Sequence, residues 1–151
     1  MIKVICVGKL KEKYWKDAVI EYSKRISKYS KIEIIEVNDY NSTDINTILL
    51  QEKNDIIKYI GDRDCVITME IEGKQLDSVE LAKKIDSLYL NYSNITFIIG
   101  GSYGLHEDIK KRSNYALSFS KMTFPHQMFR IMLLEQIYRS YKILNNESYH
   151  K

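Results

Sequence analysis

The stretch ITFIIGGSYGLH, residues 95–106, carries the clearest indication of fold in this sequence. An apolar run, Ile95–Ile99, leads directly into a pair of glycines, and a short helix is predicted over residues 106–112. Glycine tolerates positive φ and lets a ligand approach main-chain N–H and C=O groups closely. The pattern matches neither GxGxxG nor GxxxxGK[ST], so neither nucleotide-binding motif applies. The stretch therefore predicts a ligand-binding loop, and a tight turn from strand to helix is the structural alternative.

Outward from this stretch, the chain alternates between strand-like and helix-like patterns. Apolar β-branched runs predict strands, and apolar residues at helical spacing predict helices. Such alternation indicates an α/β fold with a largely parallel sheet whose two faces are covered by helices. The predicted strands are Ile2–Val7, Ile32–Val37, 65–71, Ile95–Ile99 and 116–118, and the predicted helices are 12–28, 42–59, 77–92, 106–112 and a last one from Pro125 to about residue 144. Turns are predicted at 61–64 and 72–74, with Ser42 or Thr43, Asp77 or Ser78, and Thr123 as N-caps.

Composition points to one domain over residues 1–151, because one proline and six glycines leave few breaks in the chain. Basic residues exceed acidic ones in residues 1–31 and 100–151, whereas residues 32–99 are acidic. A fold that brings the two ends together would present a positive face suited to nucleic acid. The alternative is an ordinary solvated helix surface.

Sequence features also restrict the compartment and the metal chemistry. No apolar run is long enough to cross a bilayer, and the first residues do not resemble a signal peptide, so we expect a cytoplasmic protein with no membrane partner. Cys6 and Cys65 lie in apolar runs, without a CxxC pair or a histidine at ligand spacing. We therefore expect two buried, reduced thiols and no metal site.

The last helix is apolar over about two-thirds of its circumference, more than the single stripe that one sheet can bury. A second copy of the chain is the simplest partner for so wide a surface, which predicts a homodimer. The alternative is a helix sunk more deeply into its own core.

Two further segments near the C-terminus are candidates for chemistry. LSFSKMTFPHQ, residues 117–127, is apolar but rich in hydroxyls, which suits a flat, neutral, adenine-like ring in an apolar slot. The same segment is also typical of a helix N-terminus, with Thr123 as cap and Pro125 in the first turn. The chain end, residues 145–151, offers a tyrosine, a histidine and a lysine in succession, which could hold an RNA base and accept its proton. Such ends are usually frayed.

These segments carry a family resemblance. GGSYGLHEDIKKRSNYALSFSKMTFPHQMFRIMLLEQIYRSYKI, the terminal YHK and the opening VGKLKEKYW resemble the ribosomal RNA large-subunit methyltransferase H family, over essentially the whole chain. The family's enzymes belong to the SPOUT class and methylate N3 of a pseudouridine in 23S ribosomal RNA. The resemblance implies a SPOUT-type parallel sheet with a C-terminal trefoil knot, a rare exception to the rule against knotted chains. It also implies a homodimer and the cofactor S-adenosylmethionine.

Carried over by motif, the cofactor contacts fall on Met69, Gly100, Phe119, Ser120, Lys121, Met122, Thr123 and Phe124. Many members of the family have leucine where this chain has Met69, and a contact made through backbone and apolar bulk survives that change. Tyr103 is bulkier than the residue expected within GGS-x-G, and it could alter the rim of the pocket.

The catalytic candidates are His150, Tyr149 and Arg130. His150 is the first choice for a base, because it could titrate near neutral pH. Tyr149 suits stacking on a base, and Arg130 suits a phosphate or the uracil carbonyl oxygens, whereas His126 more often serves packing. The resemblance implies that the substrate is 23S rRNA within the assembled 70S ribosome, with phosphate contacts from Lys9, Lys11, Lys13, Lys16, Lys110, Lys111 and Arg112. The alternatives are a non-enzymatic ribosome-binding factor and a flavodoxin-like or nucleotide-hydrolysing enzyme.

Overall fold

The fold is built on one five-stranded sheet in which every neighbouring pair is parallel. The computed structural model describes residues 1–151. The strands run in the order β2-β1-β4-β3-β5, where β1 is Ile2–Val7, β2 Ile32–Val37, β3 Cys65–Gln75, β4 Ile95–Ile99 and β5 Tyr115–Ser118. The α/β class and the parallel sheet are therefore confirmed. The trefoil knot implied by the resemblance stays a prediction.

Five helices cover the two faces of this sheet. They are α1 (Lys13–Ile26), α2 (Ile45–Ile57), α3 (Ser78–Leu88), α4 (Glu107–Arg112) and α5 (His126–Leu144). One buried cluster joins the sheet to α1, α3 and α5, and a second joins its other face to α2 and α4. No helix is both long and apolar enough to cross a membrane.

Strand β1 shows why its sequence is apolar throughout. Successive side chains point to opposite faces of a sheet. Val4 and Cys6 accordingly belong to the larger cluster, whereas Ile5 and Val7 belong to the smaller one. Both predicted thiols, Cys6 and Cys65, are buried and unpaired with each other, and burial raises the pKa of Cys6 to about 12.

The predicted helix boundaries differ from the observed ones by up to four residues, most at the end of α3, which stops at Leu88 rather than at residue 92. Asp77 caps α3 in a reciprocal capping box with Glu80, as predicted. Helix α2, however, begins at Ile45 rather than at residue 42, because Asp44 accepts from the Asn46 N–H and serves as the cap. The predicted Thr123 cap is also wrong, since Pro125 occupies the N-cap position of α5 without a side-chain hydrogen bond.

The predicted turn at residues 72–74 is instead part of a bulged strand. Met69 and Lys74 both pair with Leu117 of β5, so the residues between them leave the ladder and return to it. Gly73 permits the return, since a Cβ there would lie 2.8 Å from the Ala116 carbonyl group. The glycine therefore serves close approach of two backbones and not a reversal of the chain.

Helix α5 packs between α1 and α3 on the face of the sheet that carries the larger buried cluster. Leu133, Leu134 and Ile137 are fully buried within the single chain. The wide apolar surface of α5 is thus largely covered by the core of the same chain, which is the alternative to a dimer partner for this surface. Its N-terminal half keeps an open apolar edge at Met128, Ile131 and Met132.

Candidate functional site

A cavity of about 360 Å³ lies beyond the carboxyl ends of β4 and β5, beside the bulge of β3. This is the edge of a parallel sheet at which ligands bind in α/β proteins, and the volume lies within the roughly 300–1,000 Å³ typical of small-molecule sites. Its lining comes from the bulged part of β3 (Met69–Glu72), the loop from Ile99 to Leu105, the end of β5 with the segment after it, the first turn of α5, and Lys110 of α4.

The glycine loop forms the floor of this cavity in a tightly folded conformation. Gly101 and Gly104 form an isolated antiparallel bridge, and Gly104 has a φ of +80°. A Cβ at Gly100 would lie 2.6 Å from the Gly104 carbonyl oxygen. Gly100 is therefore required by the fold of the loop itself, and its lack of a side chain leaves main-chain groups accessible to a ligand.

The segment that follows β5 forms a second wall. Ser118 donates a hydrogen bond to the Ser120 carbonyl oxygen at 3.1 Å, and the Met122 N–H donates to the Ser120 hydroxyl at 3.0 Å. Phe129 of α5 holds the aromatic residues of the segment, with its ring centroid 5.0 Å from that of Phe119 and 6.3 Å from that of Phe124. The wall is an irregular backbone fixed by its own hydroxyls and backed by aromatic rings.

The structure brings together nearly all the residues predicted to contact the cofactor. Lys121 is exposed and does not line the cavity. The predicted residues that do line it are Met69, Gly100, Phe119, Ser120, Met122, Thr123 and Phe124. Their convergence is a geometric finding, and their role toward a cofactor stays a prediction.

Several residues of the cavity were not identified from the sequence. Glu70 and Phe129 line it, and so do Lys110, predicted as a phosphate contact, and His126, predicted to serve packing. Glu70 directly follows Met69, so its closeness in sequence to a predicted contact was available as a signal. Nothing local distinguishes Lys110 from its neighbour Lys111, which is exposed and does not line the cavity.

Glu70 is held by a partly buried hydrogen bond. The fully buried Thr68 donates its hydroxyl proton to Glu70 Oε2 at 2.6 Å. The Ser113 hydroxyl lies 2.8 Å from Thr68 Oγ1 and also donates to the Tyr115 carbonyl oxygen at 2.9 Å. The other carboxylate oxygen, Oε1, lies 3.9 Å from Lys110 Nζ, beyond direct hydrogen-bond distance. One charged side chain of the cavity is thus fixed in place while keeping an oxygen available.

Arg130 lies beside the site but is committed to the protein. Its side chain is 3% exposed, and its NH1 donates to Glu36 Oε2 at 2.6 Å. NH2 donates to the Gly8 carbonyl oxygen at 3.0 Å, and the same Glu36 oxygen accepts from the Leu10 N–H. The geometry makes Arg130 a clamp between α5, β2 and the loop after β1. A contact with substrate would first require this ion pair to open.

The other two catalytic candidates, Tyr149 and His150, lie against the middle of α5 and not against its first turn. The Tyr149 ring packs edge-on against Tyr138, with centroids 4.9 Å apart, and its hydroxyl donates to Glu135 at 3.2 Å. His150 is exposed, with Nδ1 3.1 Å from the Arg139 guanidinium. Neither residue lines the cavity of the same chain.

Some of the side chains predicted to contact phosphate are exposed and unpaired, whereas others already bind groups of the protein. Lys9, Lys11 and Lys16 are exposed, whereas Lys13 pairs with Asp17 within α1. Arg112 donates to the carbonyl oxygens of Gly61 and Asp64 and thereby ties α4 to the turn before β3. The lysines around the start of α1 therefore form the more accessible basic surface.

The fold and the cavity define a parallel α/β protein whose ligand site is enclosed by a glycine loop and a C-terminal irregular segment. A family model described as "Predicted SPOUT methyltransferase" matches residues 1–150. A protein of Methanococcus vannielii named "Putative ribosomal RNA large subunit methyltransferase H" is 52% identical over 157 residues, covering 99% of each chain. The chain belongs to the SPOUT methyltransferase family, and the resemblance seen in its sequence is confirmed.

One solved structure extends the comparison to the fold. It is described as that of a "probable methylase family protein" from Haemophilus influenzae, and it matches with a TM-score of 0.57 at 13% identity. The match covers 99% of this chain and 70% of the other. At this identity the likeness shows a shared fold.

Proposed function

We propose that this protein is a cytoplasmic enzyme that transfers a methyl group from S-adenosylmethionine to large-subunit ribosomal RNA, at N3 of a pseudouridine in 23S rRNA. The observation that carries the proposal is the cavity itself. In a chain of a methyltransferase family, the glycine loop and the segment from Phe119 to Phe124 converge at the ligand-binding edge of the sheet. The M. vannielii relative, whose name refers to ribosomal RNA, supports the substrate class.

The residues present suit S-adenosylmethionine. Apolar side chains such as Ile99, Leu117 and Phe119 offer a slot for the adenine ring, and the cramped backbone at Gly100 leaves main-chain groups free to hydrogen-bond polar atoms. Bound there, the cofactor would supply a methyl group on a sulfonium, which is already a good leaving group. The task left to the protein is alignment of the acceptor nitrogen and exclusion of water.

The proposed mechanism assigns proton removal from N3 to His150. An imidazole near neutral pH can accept this proton as the nitrogen attacks, a contribution of about a hundredfold or more. Tyr149 would stack on the target base, and its ring is already held by Tyr138 and Glu135. Arg130 would act indirectly, by fixing the loop after β1 next to the cavity, through its bonds to Gly8 and Glu36.

This assignment favours a homodimer. Tyr149 and His150 contact α5 on a part of the helix that does not line the cavity of their own chain. A second copy could bring its tail to the cavity. An apolar groove lined by Trp15, Met128, Ile131 and Met132 offers a surface for that copy. The trefoil knot implied by the family would be formed by the C-terminal part of the chain, in which β5 and α5 follow the glycine loop.

The substrate is expected to be the assembled 70S ribosome. A chain of 151 residues has little surface for reading an RNA sequence, so recognition of an assembled shape through phosphate contacts suits it better. The exposed lysines near α1 would supply such contacts. Binding should then weaken as salt rises, and replacing Lys9, Lys11 and Lys16 by glutamine should flatten that dependence.

The experiment that tests the function is methyl transfer from labelled S-adenosylmethionine to ribosomes from cells that lack the enzyme. Intact 70S particles, separated subunits and free RNA are compared, with wild type and His150→Ala. We expect label in large-subunit RNA from 70S particles only, and about a hundredfold slower transfer by the variant. Absence of label with every substrate, from a folded protein, would contradict the proposal and favour a ribosome-binding factor. Full activity of His150→Ala across pH would remove His150 as the base.

A further inference from the structure

Glu70 stands apart from the other charged groups of the cavity because it is preorganised. Its Oε2 accepts a hydrogen bond from the fully buried Thr68 at 2.6 Å, and the Ser113 hydroxyl lies 2.8 Å from the same Thr68 oxygen. The side chain of Glu70 is 21% exposed, whereas that of Lys110 is 43% exposed and reaches it only at 3.9 Å. Glu72, the other carboxylate of the wall, lies in the exposed part of the β3 bulge.

A fixed carboxylate in a mainly apolar cavity produces a local negative potential that water screens only in part. A ligand with a positive charge inside the cavity gains from this potential, and a neutral ligand of the same shape gains little. Because the carboxylate is already anchored, the gain requires no rearrangement on binding.

The two ligands of a methyltransferase site differ in this respect. S-adenosylmethionine carries a positive sulfonium, whereas its product S-adenosylhomocysteine has a neutral thioether, and both share the adenosine and the amino-acid ends. We propose that Glu70 is the specificity-determining residue by which this site binds the sulfonium nucleoside in preference to its neutral thioether product. The inference rests on the cofactor named in the proposed function. It has a consequence for turnover, because the product is held less tightly once the methyl group and its charge have left.

The test is isothermal titration calorimetry of both nucleosides with wild type, Glu70→Gln and Glu72→Gln. Glutamine keeps an oxygen that can accept from Thr68, so the fold of the bulge should persist, and thermal unfolding checks that it does. For Glu70→Gln we expect S-adenosylmethionine to bind about tenfold more weakly and S-adenosylhomocysteine to change by less than about twofold. Glu72→Gln removes the same charge from the same wall without the anchored geometry, and it should change both affinities by less than about twofold.

A second variant tests the same idea in the opposite direction. Lys110→Gln removes the cation that faces Glu70, so preference for the sulfonium nucleoside should increase. Raised salt should narrow the preference in wild type and leave that of Glu70→Gln nearly unchanged.

The outcomes separate the two proposals. If wild type binds neither nucleoside, the cofactor assignment fails and this inference fails with it. If wild type binds both, and Glu70→Gln weakens both by the same factor, the inference alone is overturned. An equal loss of preference in Glu72→Gln would also overturn it, since a general charge effect would then explain the result.

Discussion

At the level of single residues, Arg130 shows how a side chain suited to a ligand can be used by the fold instead. An arginine near a binding cavity invites assignment to phosphate, because its planar guanidinium matches anions. Here the guanidinium is buried, and Glu36 and the Gly8 carbonyl oxygen accept from it. The pair links segments 94 residues apart, so no local pattern could have indicated it.

Replacing Arg130 by methionine should destabilise the protein. The change leaves Glu36, which is one-third exposed and still accepts from the Leu10 N–H, without its charged partner, so we expect a loss of about 1–2 kcal/mol in the free energy of unfolding. Urea unfolding measures the loss, with Arg25→Met as a control, because Arg25 pairs with Glu21 on the exposed surface of α1. Unchanged stability with lost methyl transfer would show that Arg130 acts on the substrate after all.

At the level of secondary-structure elements, β3 differs most from its predicted form. Glycine at position 73 is typical of a turn. The structure uses it to bring β3 back against the backbone of β5 after a bulge that carries Glu70 to the cavity. The element that departs from regular geometry is therefore the one that shapes the site, as bulges near active sites often do.

Gly73→Ala should disturb both the fold and the site. The new methyl group would meet the Ala116 and Leu117 backbone at 2.8–2.9 Å, where no flexible side chain can move aside. We expect a loss of about 2 kcal/mol in the free energy of unfolding and weaker binding of S-adenosylmethionine. Lys74→Ala, the next residue of the same strand and an exposed one, serves as the control. A fully stable Gly73→Ala protein would show that the two backbones can separate without cost.

At the level of the whole molecule, a buried ion pair joins β1 to the turn that precedes β3. Lys3 of β1 lies 2.5 Å from Asp64, which also accepts from Thr96 of β4 and from the Gly61 N–H. Burial by itself would raise the pKa of Asp64, but the hydrogen bonds from Lys3 and its other partners outweigh it and lower that pKa below its usual value.

The lowered pKa of Asp64 predicts a particular loss of stability in acid. The stability that ionised Asp64 contributes is fully present above the pKa that Asp64 has in the unfolded chain. It is lost as pH falls through the lower pKa that Asp64 has in the folded protein. Unfolding free energies between about pH 6 and pH 2 should therefore fall more steeply for wild type than for Asp64→Asn. Asp17→Asn, which alters an exposed pair within α1, should leave the slope of wild type nearly unchanged. Equal slopes for all three proteins would contradict the assignment.

The proposed dimer is also tested on the whole molecule. Met128 is 40% exposed and lines the apolar groove beside α5, so Met128→Glu should weaken association by at least about tenfold. Ile20→Glu, at a residue of α1 that is 65% exposed and outside the groove, is the matched control. Sedimentation should show a dimer for wild type and Ile20→Glu and a monomer for Met128→Glu. A monomeric wild type at micromolar concentration would refute the dimer.

The sequence by itself determined the class of fold, the strand segments and the two loops that enclose the cavity. Apolar runs and helical spacing reflect which faces must be buried, and these are local properties of the chain. The motif of residues 117–127 likewise indicated the family, because its hydroxyls and its proline stand together in sequence.

Only the tertiary structure decided which distant residues meet. Three features depend on the order of strands in the sheet: the hydrogen bond from Thr68 to Glu70 beside Ser113, the ion pair between Arg130 and Glu36, and the absence of the C-terminal tail from the lining of its own cavity. That order places β3 between β4 and β5, although α3 separates β3 from β4 in the chain and α4 separates β4 from β5. Side-chain partners are fixed by this spatial order, whereas hydrophobic periodicity reports only which face of each element is buried.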